Sequence, residues 1–148
     1  MSSAGKKSLF AKFRSLLRAK KQAPSFKRLT ERVEKAFDRL DVLIPEWVEN
    51  KGYWAPTKTI SGVAEQLGTE SVILQRYFHE RMHVDFRTWR TALRVEDAKK
   101  MLLENPEAPA SSIALKVGFS DRSNFLHQFR ALTGLTPTEW RKARSESK

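Results

Sequence analysis

The chain has 148 residues, no cysteine and a net charge of +11, from 28 Lys and Arg against 17 Asp and Glu. A stable core takes about 100 residues per domain, so there is room for one domain or two very small ones. The lack of cysteine excludes disulfide staples and thiolate metal sites and fits a reducing compartment. No apolar run approaches the roughly 20 residues that cross a bilayer, and the chain reads as soluble.

The positive excess favours an anionic partner, nucleic acid or a membrane surface. It is unevenly placed: residues 1–28 hold nine basic residues and no acidic one, whereas residues 59–148 carry 14 basic and 11 acidic. Any binding of DNA by the later part must therefore rest on local arrangement rather than on bulk charge.

In chain order, "MSSAGKK" (1–7) is small and polar and reads as a disordered start. Residues 8–22 then place Leu9, Phe10, Phe13, Leu16 and Leu17 on one side of a short basic amphipathic helix. Three uses fit it: docking on the neighbouring domain, an arm along a DNA backbone, or a membrane-surface or targeting segment. Pro24 breaks the chain. From Ser25 a helical lead-in carries Phe26, Leu29, Val33, Phe37 and Leu40 up to Pro45, which either kinks that helix or starts the next at "PEWVENKGYW". Gly52 and Pro56 close that segment.

Two similar units follow. In "TISGVAEQLGTESVILQRYF" (59–78) a short helix with Ile60, Val63, Ala64 and Leu67 stops at Gly68, and a second helix carries Val72, Leu74, Tyr77 and Phe78. In "SSIALKVGFSDRSNFLHQF" (111–129) Ile113, Ala114 and Val117 precede Gly118, and the next helix carries Phe125, Leu126 and Phe129. A short helix, a glycine where the chain needs positive φ, a turn of about four residues and a second helix make a helix-turn-helix. Ala64 and Ala114 are small where the paired helices must approach closely. Between the units, Phe86, Trp89, Leu93, Ala98, Met101 and Leu102 mark a helix of about 20 residues, roughly 30 Å long. One turn of B-DNA is about 34 Å, so such a rod could hold two recognition helices in consecutive major-groove segments. No stretch reads as a strand, and the chain is predicted to be all-α.

Within "VGFSDRSNFLHQFRALTGLTP" (117–137), Phe119, Phe125, Phe129 and Leu132 are expected to face a core. The positions between them, Arg122, Ser123, Asn124, His127, Gln128 and Arg130, form a group of hydrogen-bond donors on the remaining face.

The segments "ISGVAEQLG", "LQRYF", "LRVEDAKKMLLE", "VGFSDRSNF" and "FRALTGLTPTEWRK" resemble, in order and spacing, the arabinose-operon-regulator (AraC/XylS) type of bacterial transcription factor, over about Glu46 to Lys142. The resemblance implies an AraC-type DNA-binding domain over 46–148. Its first helix-turn-helix would span about 59–82, a linker helix about 85–104 and a second helix-turn-helix about 110–133, preceded by a lead-in over 25–45 and a basic segment over 1–24. It implies a cytoplasmic bacterial regulator that binds double-stranded DNA as a monomer and works with RNA polymerase, without cofactor, metal or catalytic residue.

By the same resemblance Ser71, Val72, Gln75 and Arg76 face DNA from the first recognition helix, and Arg122, Ser123, Asn124 and His127 from the second. Gln can bond an adenine edge and Arg a guanine edge in two places each. Four positions depart from the family pattern: Leu126 where a small polar residue is usual, His127 for an arginine, His83 for a glycine that ends the helix, and Glu70 for a serine. Gln75 and Arg76 reach further than Leu126 and His127, which assigns stronger base selectivity to the first helix-turn-helix.

Two other classes compete. "HERMH" (79–83) matches a zinc-hydrolase pattern in which His79 and His83 bind zinc, Glu80 activates water and Glu104 is the third ligand. The motif lies at a helix end, however, with no histidine-rich segment after it. Alternatively, the acid-free start resembles a juxtamembrane segment, which would make the chain the cytoplasmic end of a larger membrane-associated regulator or adaptor. Trp47, Trp54, Trp89 and Trp140 read most simply as core or interface anchors, Arg94 and Arg141 as structural or phosphate-directed, and "RKARSESK" as a frayed tail.

Overall fold

A computed structural model describes residues 3–56 and 59–147. It is all-α among the described residues, with helices α1 (Ser3–Gln22), α2 (Pro24–Glu49), α3 (Ile60–Gln66), α4 (Ser71–Tyr77), α5 (Phe86–Glu104), α6 (Ala110–Lys116), α7 (Arg122–Thr133) and α8 (Pro137–Ser145). A 3-10 turn (Gly52–Trp54) follows α2, and a π-helical turn (Phe78–Met82) extends α4. The chain divides into two compact units, Met1–Arg39 and Leu40–Lys148.

In the first unit, α1 begins at Ser3, ahead of the expected start at Ser8. Nothing in "AGKK" forbids a helix: alanine and lysine favour it, and one glycine costs only about 1 kcal/mol. The helix stops at Gln22, with Ala23 alone between it and Pro24, which then serves as the first residue of α2, where its missing N–H costs nothing. Leu9, Phe10, Phe13, Leu16 and Leu17 are all exposed. Phe26 and Leu29, expected to belong to a buried stripe, are exposed as well.

In the second unit α2 continues through Pro45 to Glu49, so Pro45 starts no new helix. Leu40, Ile44 and Trp47 are buried, and Trp47 stacks on Trp89 of α5 with centroids 6.1 Å apart. Phe78 meets both Trp89 (4.8 Å) and Phe86 (5.2 Å). This aromatic group supports the first helix-turn-helix, α3 and α4. A second group supports the other, α6 and α7: Val95, Ala98 and Leu102 of α5 pack with Ile113, Ala114, Val117, Phe119, Phe125, Phe129 and Trp140. The linker helix α5 thus contributes to both cores.

The two helix-turn-helix units share one local design. At the end of α3 the Gly68 N–H donates to Glu65 O (3.1 Å) and the Thr69 N–H to Ala64 O (2.9 Å). At the end of α6 the Gly118 N–H donates to Leu115 O (3.1 Å) and the Phe119 N–H to Ala114 O (3.0 Å). Both are Schellman closures, which require a left-handed residue; Gly68 has φ +65° and Gly118 φ +103°. Ala64 and Ala114 are buried at the same place in each unit.

Buried polar contacts tie α5 to the segment after α2. Asp97 accepts hydrogen bonds from the Tyr53 hydroxyl (2.5 Å), Trp54 Nε1 (2.8 Å) and Lys51 Nζ (2.9 Å). Arg94 donates to the carbonyls of Tyr53 (2.6 Å) and Ala55 (2.9 Å). Burial lowers the Arg94 pKa to about 10, which leaves it charged at neutral pH. Arg94 is therefore structural. Arg141 is similarly engaged, donating to Pro106 O (2.8 Å) and Ala108 O (2.7 Å) in the segment between α5 and α6.

Candidate nucleic-acid interface

Leu74, Tyr77 and Phe78 bury one side of α4 and its extension, so Val72, Gln75, Arg76, His79 and Glu80 are left on the exposed side. Val72 and Arg76 are one turn apart, as are Gln75 and His79, so these four share one face. Val72 is 53% exposed, an apolar side chain outside the core on a donor-rich face. Ser71, at the first position of α4, is half-buried. Arg76 is paired on its own helix, its Nε donating to Glu80 Oε1 at 2.9 Å. Glu70 occupies the N-cap of α4 but its side chain makes no capping hydrogen bond.

α7 is fixed more firmly at its start. Asp121 caps it by accepting from the Asn124 N–H at 2.7 Å, and Phe125 and Phe129 are fully buried. Arg122, Ser123, Asn124 and His127 are all exposed within the first turn and a half. Ser123 and Asn124 lie four and three residues before His127, on one face. Leu126, half-buried, packs against the core instead. The helix therefore presents His127 outward rather than Leu126. Leu132, expected in the core, is 51% exposed. It lies on the core side by periodicity, but α7 runs past the core there: a Cβ on Gly134, two residues later, would have nothing within 4 Å.

His79, Arg87 and Arg90 lie on or beside these faces without having been expected there from the sequence. His79 was absorbed into the zinc pattern, although its spacing from Gln75 and Arg76 already placed it beside them. Arg130, expected among the donors of α7, is exposed three residues after His127. Arg87 and Arg90 of α5 line one groove with Gln75 and His79; burial, then the charge of Arg87, lowers the Arg90 pKa. Nothing local in the sequence signals that second juxtaposition.

The "HERMH" segment does not form a regular helical turn. Residues 78–82 are π-helical and His83 is a left-handed cap with φ +53°, so the two imidazoles are not one α-turn apart on one face. Among the described residues no group of three or more His, Asp and Glu is placed to hold a metal ion.

Two helix-turn-helix units, each showing one donor-rich face and joined by a helix built into both cores, define a tandem helix-turn-helix protein. The helix-turn-helix domain family matches residues 63–143, more than half of the chain. This chain belongs to that AraC-type family. It is similar to the arabinose operon regulatory protein of Escherichia coli, at 29% identity over 82 residues, covering 55% of this chain and 28% of that protein. It is also similar to the transcriptional activator RhaS of Escherichia coli, at 30% identity over 116 residues, covering 78% of this chain and 40% of that protein. The chain thus spans well under half the length of these curated relatives. Among solved structures it resembles the C-terminal domain of AraT, a response regulator from Geobacillus stearothermophilus, at 26% identity and TM-score 0.60, over 75% of this chain and 84% of that one. An AraC-type transcriptional regulator from Chromobacterium violaceum shares the fold at 20% identity and TM-score 0.62, over 78% of this chain and 99% of that one.

Proposed function

We propose that the chain is a sequence-specific DNA-binding transcription regulator of the bacterial cytoplasm, reading two consecutive major-groove segments of a duplex as a monomer. On this reading residues 46–148 are the DNA-binding domain, with helix-turn-helix units over about 59–82 and 110–133. The carrying observation is the pair of donor-rich faces on α4 and α7, held at fixed spacing by the 19-residue α5. At 1.5 Å per residue that helix is about 28 Å long, close to the roughly 34 Å of one DNA turn.

Gln75 and Arg76 are the base readers of the first unit, with Ser71 and Val72 beside them. Arg122, Ser123, Asn124 and His127 engage the second groove segment, where phosphate contacts set register more than sequence. Arg87, Arg90 and Arg130 are phosphate-directed on this reading, and His79 lies along the first groove. RNA polymerase is the protein partner, and no catalytic step is involved.

Selection of bound sequences from a random duplex library tests the proposal. A selected site with two segments about one turn apart supports it, and recovery of no preferred sequence overturns it. On that site Arg76→Ala should cost about 1 to 3 kcal/mol and relax base choice at one or two positions. Asn124→Ala should weaken binding with less change in selectivity. The reverse pattern would exchange the roles of reader and anchor.

A further inference from the structure

The helix α1 carries a feature that DNA reading does not use. Placed at about 100° per residue, Leu9, Phe10, Phe13, Leu16 and Leu17 occupy an arc of roughly 120°, and all five are exposed, between 45% and 69%. Lys7, Arg14, Arg18 and Lys21 form a stripe along one border of that arc, and Lys12 lies on the other. Lys20, in the last turn, falls within the arc, where its long stem can reach outward. The opposite side is small and uncharged: Ser8, Ala11, Ser15, Ala19 and Gln22. Residues 1–28 contain no acidic side chain.

We propose that α1 is an interfacial anchor that lies in the plane of an anionic lipid surface, its apolar arc in the acyl boundary and its flanking cations at the headgroup phosphates. The order around the helix selects this occupant. A lipid interface takes apolar residues at its centre, basic residues at both borders where they snorkel to the headgroups, and small polar residues toward water. A nucleic-acid backbone would engage the basic stripe alone and leave two phenylalanines and three leucines in water beside the phosphates. A second copy of the helix would cover the apolar arc, but it would set lysines and arginines against lysines and arginines with no acid on either side, the reverse of paired helices with complementary flanking charges. Acidic headgroups supply the missing counter-charge. The helix is about 30 Å long by its 20 residues and lies on the surface rather than spanning it. No helix among the described residues is long and apolar enough to cross a membrane.

The test is co-sedimentation of the full chain with vesicles of phosphatidylcholine alone and of equal parts phosphatidylcholine and phosphatidylglycerol. Duplex binding and sedimentation equilibrium are measured alongside. The expected result is binding to the mixed vesicles, little binding to neutral ones, and weakening as salt rises. Phe10→Ser combined with Phe13→Ser should cut vesicle partition about tenfold or more, with the melting temperature unchanged and duplex affinity kept within about twofold. Absence of binding to mixed vesicles overturns the proposal. So does equal binding by the double variant, which would reduce the interaction to charge alone, or an equal loss of duplex binding, which would make α1 a DNA arm. A concentration-dependent dimer abolished by the same substitutions, without vesicle binding, would assign the face to a second copy.

Discussion

Arg76 donates from Nε to the carboxylate of Glu80 at 2.9 Å, one turn further along the same exposed face. A side chain proposed to read a base edge is therefore held in the free protein by a carboxylate that would itself meet DNA. Both groups are nearly half exposed, so the pair contributes little, about 0.2 to 1 kcal/mol. Glu80→Gln removes that competition and one negative charge. It should tighten duplex binding by up to about fivefold, read by fluorescence anisotropy at fixed salt. Unchanged or weaker binding would mean that Glu80 positions Arg76 rather than restraining it.

Gly118 and Gly134 both have positive φ, +103° and +79°, yet their surroundings differ. A Cβ on Gly118 would strike the Trp54 carbonyl oxygen and come within 2.9 Å of Arg94 Nε, whereas one on Gly134 meets nothing within 4 Å. Gly134→Ala should cost only the backbone penalty, about 1 to 2 kcal/mol. Gly118→Ala adds a collision with backbone and with the guanidinium that holds Tyr53 and Ala55, and should exceed the Gly134 value by about 1 kcal/mol or more. Equal losses in urea denaturation would show that the 3-10 segment yields freely.

His83 has φ +53° and no glycine's freedom. His83→Gly should stabilise the fold by about 0.5 to 1 kcal/mol, the left-handed strain relieved less the extra entropy of an unfolded glycine. The midpoint of chemical denaturation reads this directly. A fall would mean that the imidazole makes a stabilising contact.

Asp97 sets an acid limit on stability. Burial pushes its carboxyl pKa up, but hydrogen bonds from Tyr53, Lys51 and Trp54, together with the Lys51 charge, outweigh burial and hold it below the ordinary value. The unfolded chain therefore takes up the proton more readily than the folded one. The contribution is fully present above the ordinary carboxylate range, about pH 4, and is lost as pH falls through the folded value. Asp97→Asn should cost about 1.5 to 3 kcal/mol at neutral pH and flatten the acid limb of stability against pH. An unaltered acid limb would place the acid sensitivity elsewhere.

The parts of the fold legible in the sequence are those with local causes. Gly68 and Gly118 announce left-handed helix ends, Ala64 and Ala114 announce close helix approach, and the spacing of Phe125 and Phe129 announces the buried side of α7. Periodicity alone misplaced Leu132, because it gives the direction of a side chain but not where the core stops. The hub formed by Lys51, Tyr53, Trp54 and Asp97 was illegible, since Asp97 lies more than 40 residues from the other three and no pattern in either segment marks the other. At the candidate site, the outward face of α4 followed from its buried face, but the Arg87 and Arg90 groove depends on how α5 returns past α4. His79 is obscured for a different reason: the HERMH pattern gives it a second reading as a metal ligand, in competition with its helical spacing from Gln75.

The linker α5 belongs to both cores without a break in its 19 residues, and this makes the spacing of the two recognition helices angular as well as linear. Inserting one residue mid-helix would advance the second unit by only about 1.5 Å but turn it by about 100° around the linker axis. The face of α7 would swing away from any groove that α4 had entered. Seven residues, about two full turns, restore the facing to within roughly 20° while adding about 10 Å of travel. Linker length in such a protein is thus quantised: binding sites can change by substitution one residue at a time, but their spacing can change only in steps of whole helical turns.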